Sequence, residues 1–140
     1  MDLLARREHS MEELRVKLRA RGFEDGEAVE RELGRLCAEG LLSDARFAEA
    51  FVHAHRRRGE GPLRIAAGLR ERAVTAEVIA GQLDVQGDAW VELAREARCK
   101  RFGAEIPREF DERARQARFL RYRGFTEDQV RAALKDGGDL

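Results

Sequence analysis

Apolar residues recur along this chain at intervals of three and four, and no stretch alternates apolar with polar as a half-buried strand does. The pattern predicts helices throughout. Ser10 and Glu13 have the spacing of a capping box, after which Met11, Leu14 and Leu18 share one face as far as Arg21. Gly22 stops this helix, because glycine takes the left-handed position after a helix end at little cost. A second helix places Val29, Leu33, Leu36 and Cys37 inward and stops at Gly40. Ser43 or Asp44 caps a third, which faces Phe47, Phe51 and Ala54 to the core and frays near Gly59. Gly61-Pro62 opens the next segment, with proline in the first helical turn, where its missing N–H costs nothing. Ile65 and Leu69 then point inward. Thr75 caps a short helix with Ile79 and Leu83, and a longer helix from near Asp88 buries Trp90, Leu93, Ala94 and Ala97. From Pro107 a further helix runs through Phe110, Ala114, Ala117 and Leu120 to Gly124. Thr126 and Gln129 form another capping box before Val130 and Leu134.

The pattern also repeats. Leu18-Arg19-Ala20-Arg21-Gly22-Phe23, Leu69-Arg70-Glu71-Arg72-Ala73-Val74 and Leu120-Arg121-Tyr122-Arg123-Gly124-Phe125 share the form Leu-Arg-x-Arg-small-hydrophobic, at a spacing of 51 residues. A short helical pattern ending in Leu33, Leu83 or Leu134 follows each copy. A period of this length marks an array of supersecondary units. The expected architecture is all-α: an elongated tandem repeat of three-helix units, with repeats over 1–60, 61–106 and an incomplete 107–135, and a disordered tail over 136–140. Asp2 to Glu8 reads as the last turns of a longer helix, as if a preceding segment were absent.

Composition sharpens this picture. The chain is 43% hydrophobic, with nine aromatic residues, and 39% charged, the mix of amphipathic helices. Formal net charge is zero, which argues against a broadly basic nucleic-acid binder. The distribution is uneven: 53–72 carries +4 and 24–50 carries −5. Cys37 and Cys99 form no CxxC pair and read as small buried hydrophobes. No signal peptide or long apolar run appears, so the chain reads as cytoplasmic and not membrane-bound.

Arginine is the candidate chemistry. Arg56, Arg57 and Arg58 are consecutive, and helical neighbours point about 100° apart, so the three cannot all face a core. They read either as a solvated helix end that complements the dipole, or as a phosphate-contacting patch. The Arg-x-Arg pairs before each corner read first as caps on free helix carbonyls. His53 and His55 are two apart and fall on different sides of a helix, the wrong spacing for a zinc site. Trp90 reads as core. Tyr122, between two arginines, reads as packing on the preceding unit, with base stacking as the alternative. Ser10 and Ser43 both read as caps, and no nucleophile–base pair, metal cluster or phosphate loop is legible, so neither enzymatic activity nor a cofactor is expected.

Together these motifs resemble the RecX regulatory-protein family. The resemblance rests on Arg7-Glu8-His9-Ser10, Glu13-Leu14, Lys17-Leu18, Arg21-Gly22-Phe23, Gly40-Leu41-Leu42-Ser43-Asp44, Arg46-Phe47-Ala48 with Phe51, Gly61-Pro62-x-Arg64-Ile65 and Arg118-Phe119-Leu120-x-x-Arg123-Gly124-Phe125. It implies an elongated, curved helical repeat that binds in the groove of a RecA recombinase filament on DNA. It further implies inhibition of recombinase and co-protease activity, modulating recombination, DNA repair and the SOS response. On that reading Arg56, Arg57, Arg58, Arg64, Arg70, Arg72, Arg121 and Arg123 are the filament- or DNA-contacting residues. The partner is the RecA filament, with single- or double-stranded DNA as a second candidate, and the chain acts as a monomer. The alternative is a direct DNA binder of helix-turn-helix type, which the acid-rich stretch from Glu24 to Arg35 argues against. Two departures stand out: Ala73 occupies a corner where the family usually has glycine, and the sequence reads as if the family's usual N-terminal extension were missing.

Overall fold

The computed structural model describes residues 8–22, 24–40 and 42–135. Within them lie eight helices and no strand. They are α1 (Met11–Ala20), α2 (Gly26–Ala38), α3 (Asp44–Arg57), α4 (Pro62–Glu71), α5 (Ala76–Gln82), α6 (Ala89–Phe102), α7 (Phe110–Arg123) and α8 (Glu127–Ala133). The helix end expected at 2–8 falls outside the described residues apart from Glu8, which is not helical, and the tail at 136–140 falls outside them too.

Local sequence accounts for most boundaries. Both predicted capping boxes form: Ser10 Oγ accepts from the Glu13 N–H while Glu13 accepts from the Ser10 N–H, and Thr126 and Gln129 exchange the same pair of bonds. Pro62 is the first residue of α4. The repeated six-residue pattern proves to be one helix-stop geometry used again and again. At the end of α4 the Val74 N–H donates to Leu69 O (3.1 Å) and the Ala73 N–H to Arg70 O (2.9 Å). At the end of α7 the Phe125 N–H donates to Leu120 O (3.2 Å) and the Gly124 N–H to Arg121 O (3.0 Å). This crossed pair of bonds is the Schellman motif, and it explains the pattern's chemistry. The leucine and the final hydrophobic residue are its two apolar partners, and Leu69, Val74, Leu120 and Phe125 are all buried. The small residue between them takes positive φ: +99° at Gly22, +58° at Ala73 and +101° at Gly124. Ala73 therefore turns the same left-handed corner as its glycine counterparts, with a methyl group that disfavours it.

The chain divides into two compact units, Met1–Val52 with Gly68–Gln82, and His53–Ala67 with Leu83–Leu140. The first unit packs α1 on α2 through Leu14, Leu18, Val29, Leu33, Leu36 and Leu42, with Met11 at the edge. Asp44 accepts the Met11 N–H (2.7 Å), and Arg15 reaches from α1 to Glu30 on α2 (2.6 Å). The second unit packs α6 against α7 and α8 around Trp90, Ala94, Ala117, Leu120, Val130 and Ala133. Trp90 Nε1 donates to Asp84 O (2.8 Å), and Gln129 Nε2 donates to Val85 O (2.7 Å).

Four inward assignments are corrected. Cys37 is exposed, since the last core position beside Leu36 is taken by Leu42, whose N–H donates to Leu36 O (3.2 Å). Cys99 is exposed as well, one residue round the helix from the buried Arg98. Ala54 is exposed because the buried stripe of α3 runs through Phe47, Ala48 and Val52. Phe110 is 83% exposed. It opens α7, directly after Glu109, and periodicity buries a residue only where a neighbour covers it.

Candidate cationic groove

The second unit holds an open groove of about 690 Å³. The end of α3 supplies one wall with Arg56, Arg57, Arg58 and Gly59. α6 supplies Leu93, Glu96, Ala97, Cys99, Lys100 and Arg101, and α7 adds Phe119 and Arg123. Six cationic side chains thus face one carboxylate over an apolar floor. Elsewhere many surface arginines are neutralised by a nearby acid, as Arg15 is by Glu30, Arg35 by Glu39, Arg115 by Glu112 and Arg121 by Glu127. None of the six groove cations forms an ion pair among the described residues. A second concavity, in the first unit, is lined by Arg19 and Arg31 with Glu27 and Glu30, where the charges cancel.

Aromatic rings hold several of these cations in place. The Arg56 guanidinium lies 5.0 Å from the Trp90 ring centre and that of Arg123 lies 5.1 Å from Phe119. Phe119 stands edge-on to Phe102 at 5.3 Å. Such stacking fixes a guanidinium without neutralising it. Arg57 and Arg58, past the last buried turn of α3, are exposed.

The groove's edge is a close backbone seam. The Gly61 N–H donates to Arg123 O (2.7 Å) and the Leu63 N–H to Gly124 O (2.9 Å), so free donors at the start of α4 meet free carbonyls at the end of α7. A Cβ on Gly61 would lie 2.4 Å from the Gly124 carbonyl carbon, so only glycine admits this approach. Two arginines tie the seam further: Arg123 Nη1 donates to Arg58 O (3.1 Å) and Arg64 Nη1 to Tyr122 O (3.4 Å). Arg64 also pairs with Glu60 (3.0 Å) and lies 5.1 Å from the Tyr122 ring centre. Tyr122 packs on Arg64 of the preceding repeat, as one of its readings had it, yet remains 74% exposed.

Of the eight arginines singled out from the sequence, Arg56, Arg57, Arg58 and Arg123 line the groove and Arg64 sits on its seam. The other three are placed differently. Arg70 is exposed on α4 in the first unit. Arg72 caps its own helix, donating to Gly68 O (2.9 Å), and covers Phe51 at 4.8 Å. Arg121 is paired with Glu127, whose carboxyl its hydrogen bond holds below the usual range. The capping reading of the Arg-x-Arg pairs thus holds in its simple form for Arg72, whereas Arg123 caps the end of another helix.

Sequence reasoning missed Lys100 and Arg101, which have no repeat to mark them. It also missed Arg98, 2% exposed, which follows Trp90 and Ala94 at helical spacing and occupies a core position. Its guanidinium donates to the carbonyls of Gly103 (3.3 Å), Ala104 (3.3 Å) and Glu105 (3.1 Å) and to Gln116 Oε1 (3.3 Å). It thereby clasps the loop after α6. An arginine on an otherwise apolar stripe was the available signal.

The model of the second three-helix domain of RecX matches residues 43–81 and that of the third matches 88–134, each framed from a long helix onward. A curated relative named regulatory protein RecX, from Halorhodospira halophila, is 50% identical over 131 residues, covering 94% of this chain and 81% of that one. The chain belongs to the RecX family. A second RecX relative, from Pseudomonas syringae pv. tomato, is 44% identical over 140 residues, covering 99% of this chain and 90% of its own. Among solved structures, the RecX from Lactobacillus salivarius superposes with a TM-score of 0.80 at 18% identity, over 95% of this chain and 88% of that chain. Another, titled regulatory protein RecX, gives 0.79 at 21% identity over 93% of this chain and 65% of that chain. At such identities the RecX structures speak for the fold: repeated three-helix domains in an all-helical chain. The relatives' name is that of a regulator and not of an enzyme. Among the described residues there is no cluster of metal-ligating side chains, and no helix is long and apolar enough to cross a membrane.

Proposed function

We propose that this chain is a monomeric cytoplasmic regulator that docks on the RecA recombinase filament on DNA and restrains its recombinase and co-protease activities. Recombination, DNA repair and the SOS response are thereby modulated. The observation that supports this reading is the groove: six unneutralised cations over an apolar floor, in a chain of zero net charge. A filament on DNA presents phosphates, and a cluster of guanidinium forks is suited to meet them. The helices that follow the corners are poorly suited to reading duplex DNA, since α2 carries Glu27, Glu30 and Glu32 and α8 begins with Glu127 and Asp128.

The test replaces Arg56, Arg57 and Arg58 together with alanine and measures inhibition of RecA ATP hydrolysis on single-stranded DNA. The expected outcome is weakened inhibition at unchanged helicity, with a shallower dependence on salt, because each lost phosphate contact removes about 0.7–0.9 from the slope of log affinity against log salt. Undiminished inhibition by a folded triple variant would return the patch to the status of a solvated helix end.

A further inference from the structure

Two of the exposed large apolar side chains among the described residues, Leu63 (48%) and Tyr122 (74%), belong to the seam that borders the groove. Tyr122 is backed on one side by the Arg64 guanidinium at 5.1 Å. Arg64 is itself held by Glu60 and by Tyr122 O, so the ring stands on a braced support. On the same turn of α7, Arg123 enters the groove and reaches Arg58 O. An exposed aromatic ring thus adjoins a row of cations that form no ion pair among the described residues.

We infer that this seam binds single-stranded nucleic acid, with an unpaired base stacked on Tyr122 and the adjoining phosphates on Arg58, Arg123 and their groove neighbours. A nucleobase has a flat face of the right size for the ring, and its phosphates carry the charge the groove is missing. A duplex hides its base faces within the stack and cannot use Tyr122 in this way, so single strands are preferred. The arginine behind the ring extends the stack as a cation–π layer. This deepens the filament reading by naming the component that the groove meets, and it rests on that reading for its place in the filament.

The test is fluorescence anisotropy of the full chain with a short labelled oligothymidylate. Tyr122 is mostly exposed, so its replacement leaves the core untouched. Tyr122→Ala lowers affinity about 5- to 150-fold, the span of one lost base stack. Tyr122→Phe stays within about threefold of the parent, whereas Tyr122→Leu, apolar but without a π-face, behaves like alanine. The salt slope is unchanged by Tyr122→Ala and falls by about 0.7 in Arg58→Ala. Loss of affinity in Tyr122→Ala and Tyr122→Leu but not in Tyr122→Phe, with a lower salt slope in Arg58→Ala alone, supports the inference. It is overturned by an oligonucleotide that does not bind, by Tyr122→Ala binding as the parent does, or by duplex DNA or a polyglutamate peptide displacing the oligonucleotide on equal terms. RecA ATP hydrolysis, measured in parallel, separates the two readings. Tyr122-dependent binding without inhibition refutes the filament reading alone, and inhibition with Tyr122-independent binding refutes the base platform alone.

Discussion

Ala73→Gly and Gly124→Ala exchange residues at equivalent corners of the repeat and should shift stability in opposite directions. Ala73 holds φ at +58° on an exposed corner, so its methyl group adds conformational cost without burying surface. A left-handed backbone costs an L-residue roughly 1–2 kcal/mol. Glycine gives back roughly 0.5–1 kcal/mol through the greater freedom of its unfolded chain. The net expectation for Ala73→Gly is a gain of about 0.5–1 kcal/mol, or a rise in Tm of roughly 2–4 °C for a chain of this size. The reverse change at Gly124 meets φ +101° and a wall: its new Cβ would lie 2.4 Å from Arg64 Cβ and 2.7 Å from Arg64 N. Overpacking of this kind costs about 1–3 kcal/mol, and a forced shift of α4 weakens the seam bonds at Arg123 O and Gly124 O, each worth about 1 kcal/mol. The total loss comes to about 3–5 kcal/mol. Urea denaturation followed by far-UV circular dichroism measures both variants. Two shifts of the same sign, or an Ala73→Gly chain less stable by more than about 0.5 kcal/mol, would refute the corner argument.

Other expectations follow from burial and charge. Leu69, fully buried, should cost about 2–5 kcal/mol on conversion to alanine, read from the same denaturation curves. Arg98→Leu removes the donors to Gly103, Ala104, Glu105 and Gln116 and should destabilise by about 1–3 kcal/mol, with faster amide exchange in the loop after α6. Glu30 and Glu127 are held below the ordinary carboxylate range by hydrogen bonds from Arg15 and Arg121. Depressed folded-state values mean that these pairs stabilise above the unfolded value of 4.5 and lose that contribution as pH falls through the folded ones. NMR titration of the two carboxyls checks the direction, and Glu127→Gln should flatten the acid limb slightly.

Helix order, caps and corners were legible in the sequence because each is set by residues within six positions of one another: Ser10 with Glu13, Thr126 with Gln129, Leu69 with Val74. Burial was less legible, because it depends on what stands opposite. Cys37 has the right spacing for the core, but Leu42 fills the place, and Phe110 lies on the stripe of α7 with nothing described above it. The groove was half visible. The run Arg56 to Arg58 advertises itself, whereas Lys100 and Arg101 join it only through the packing of α6. Arg98 defied its type, since an arginine is ordinarily kept from a core unless carbonyls surround it, as here. Tyr122 meets the preceding repeat through Arg64, 58 residues away in the chain, while its ring stays exposed, a combination that spacing alone does not reveal.

The Gly61–Gly124 seam has a bearing on how the protein is made. Residues 53–67 belong to the same compact unit as residues 83–140, yet the ribosome releases them long before the corner at Gly124 exists. Until then, the N–H groups of Gly61 and Leu63 have only water as a partner, and the start of α4 lacks its anchor. Contacts this distant in sequence close late and slowly, since the intervening chain must be ordered first. The second unit is therefore completed only after Gly124 has emerged, and a nascent chain stalled before that corner carries a cationic segment without its seam in place.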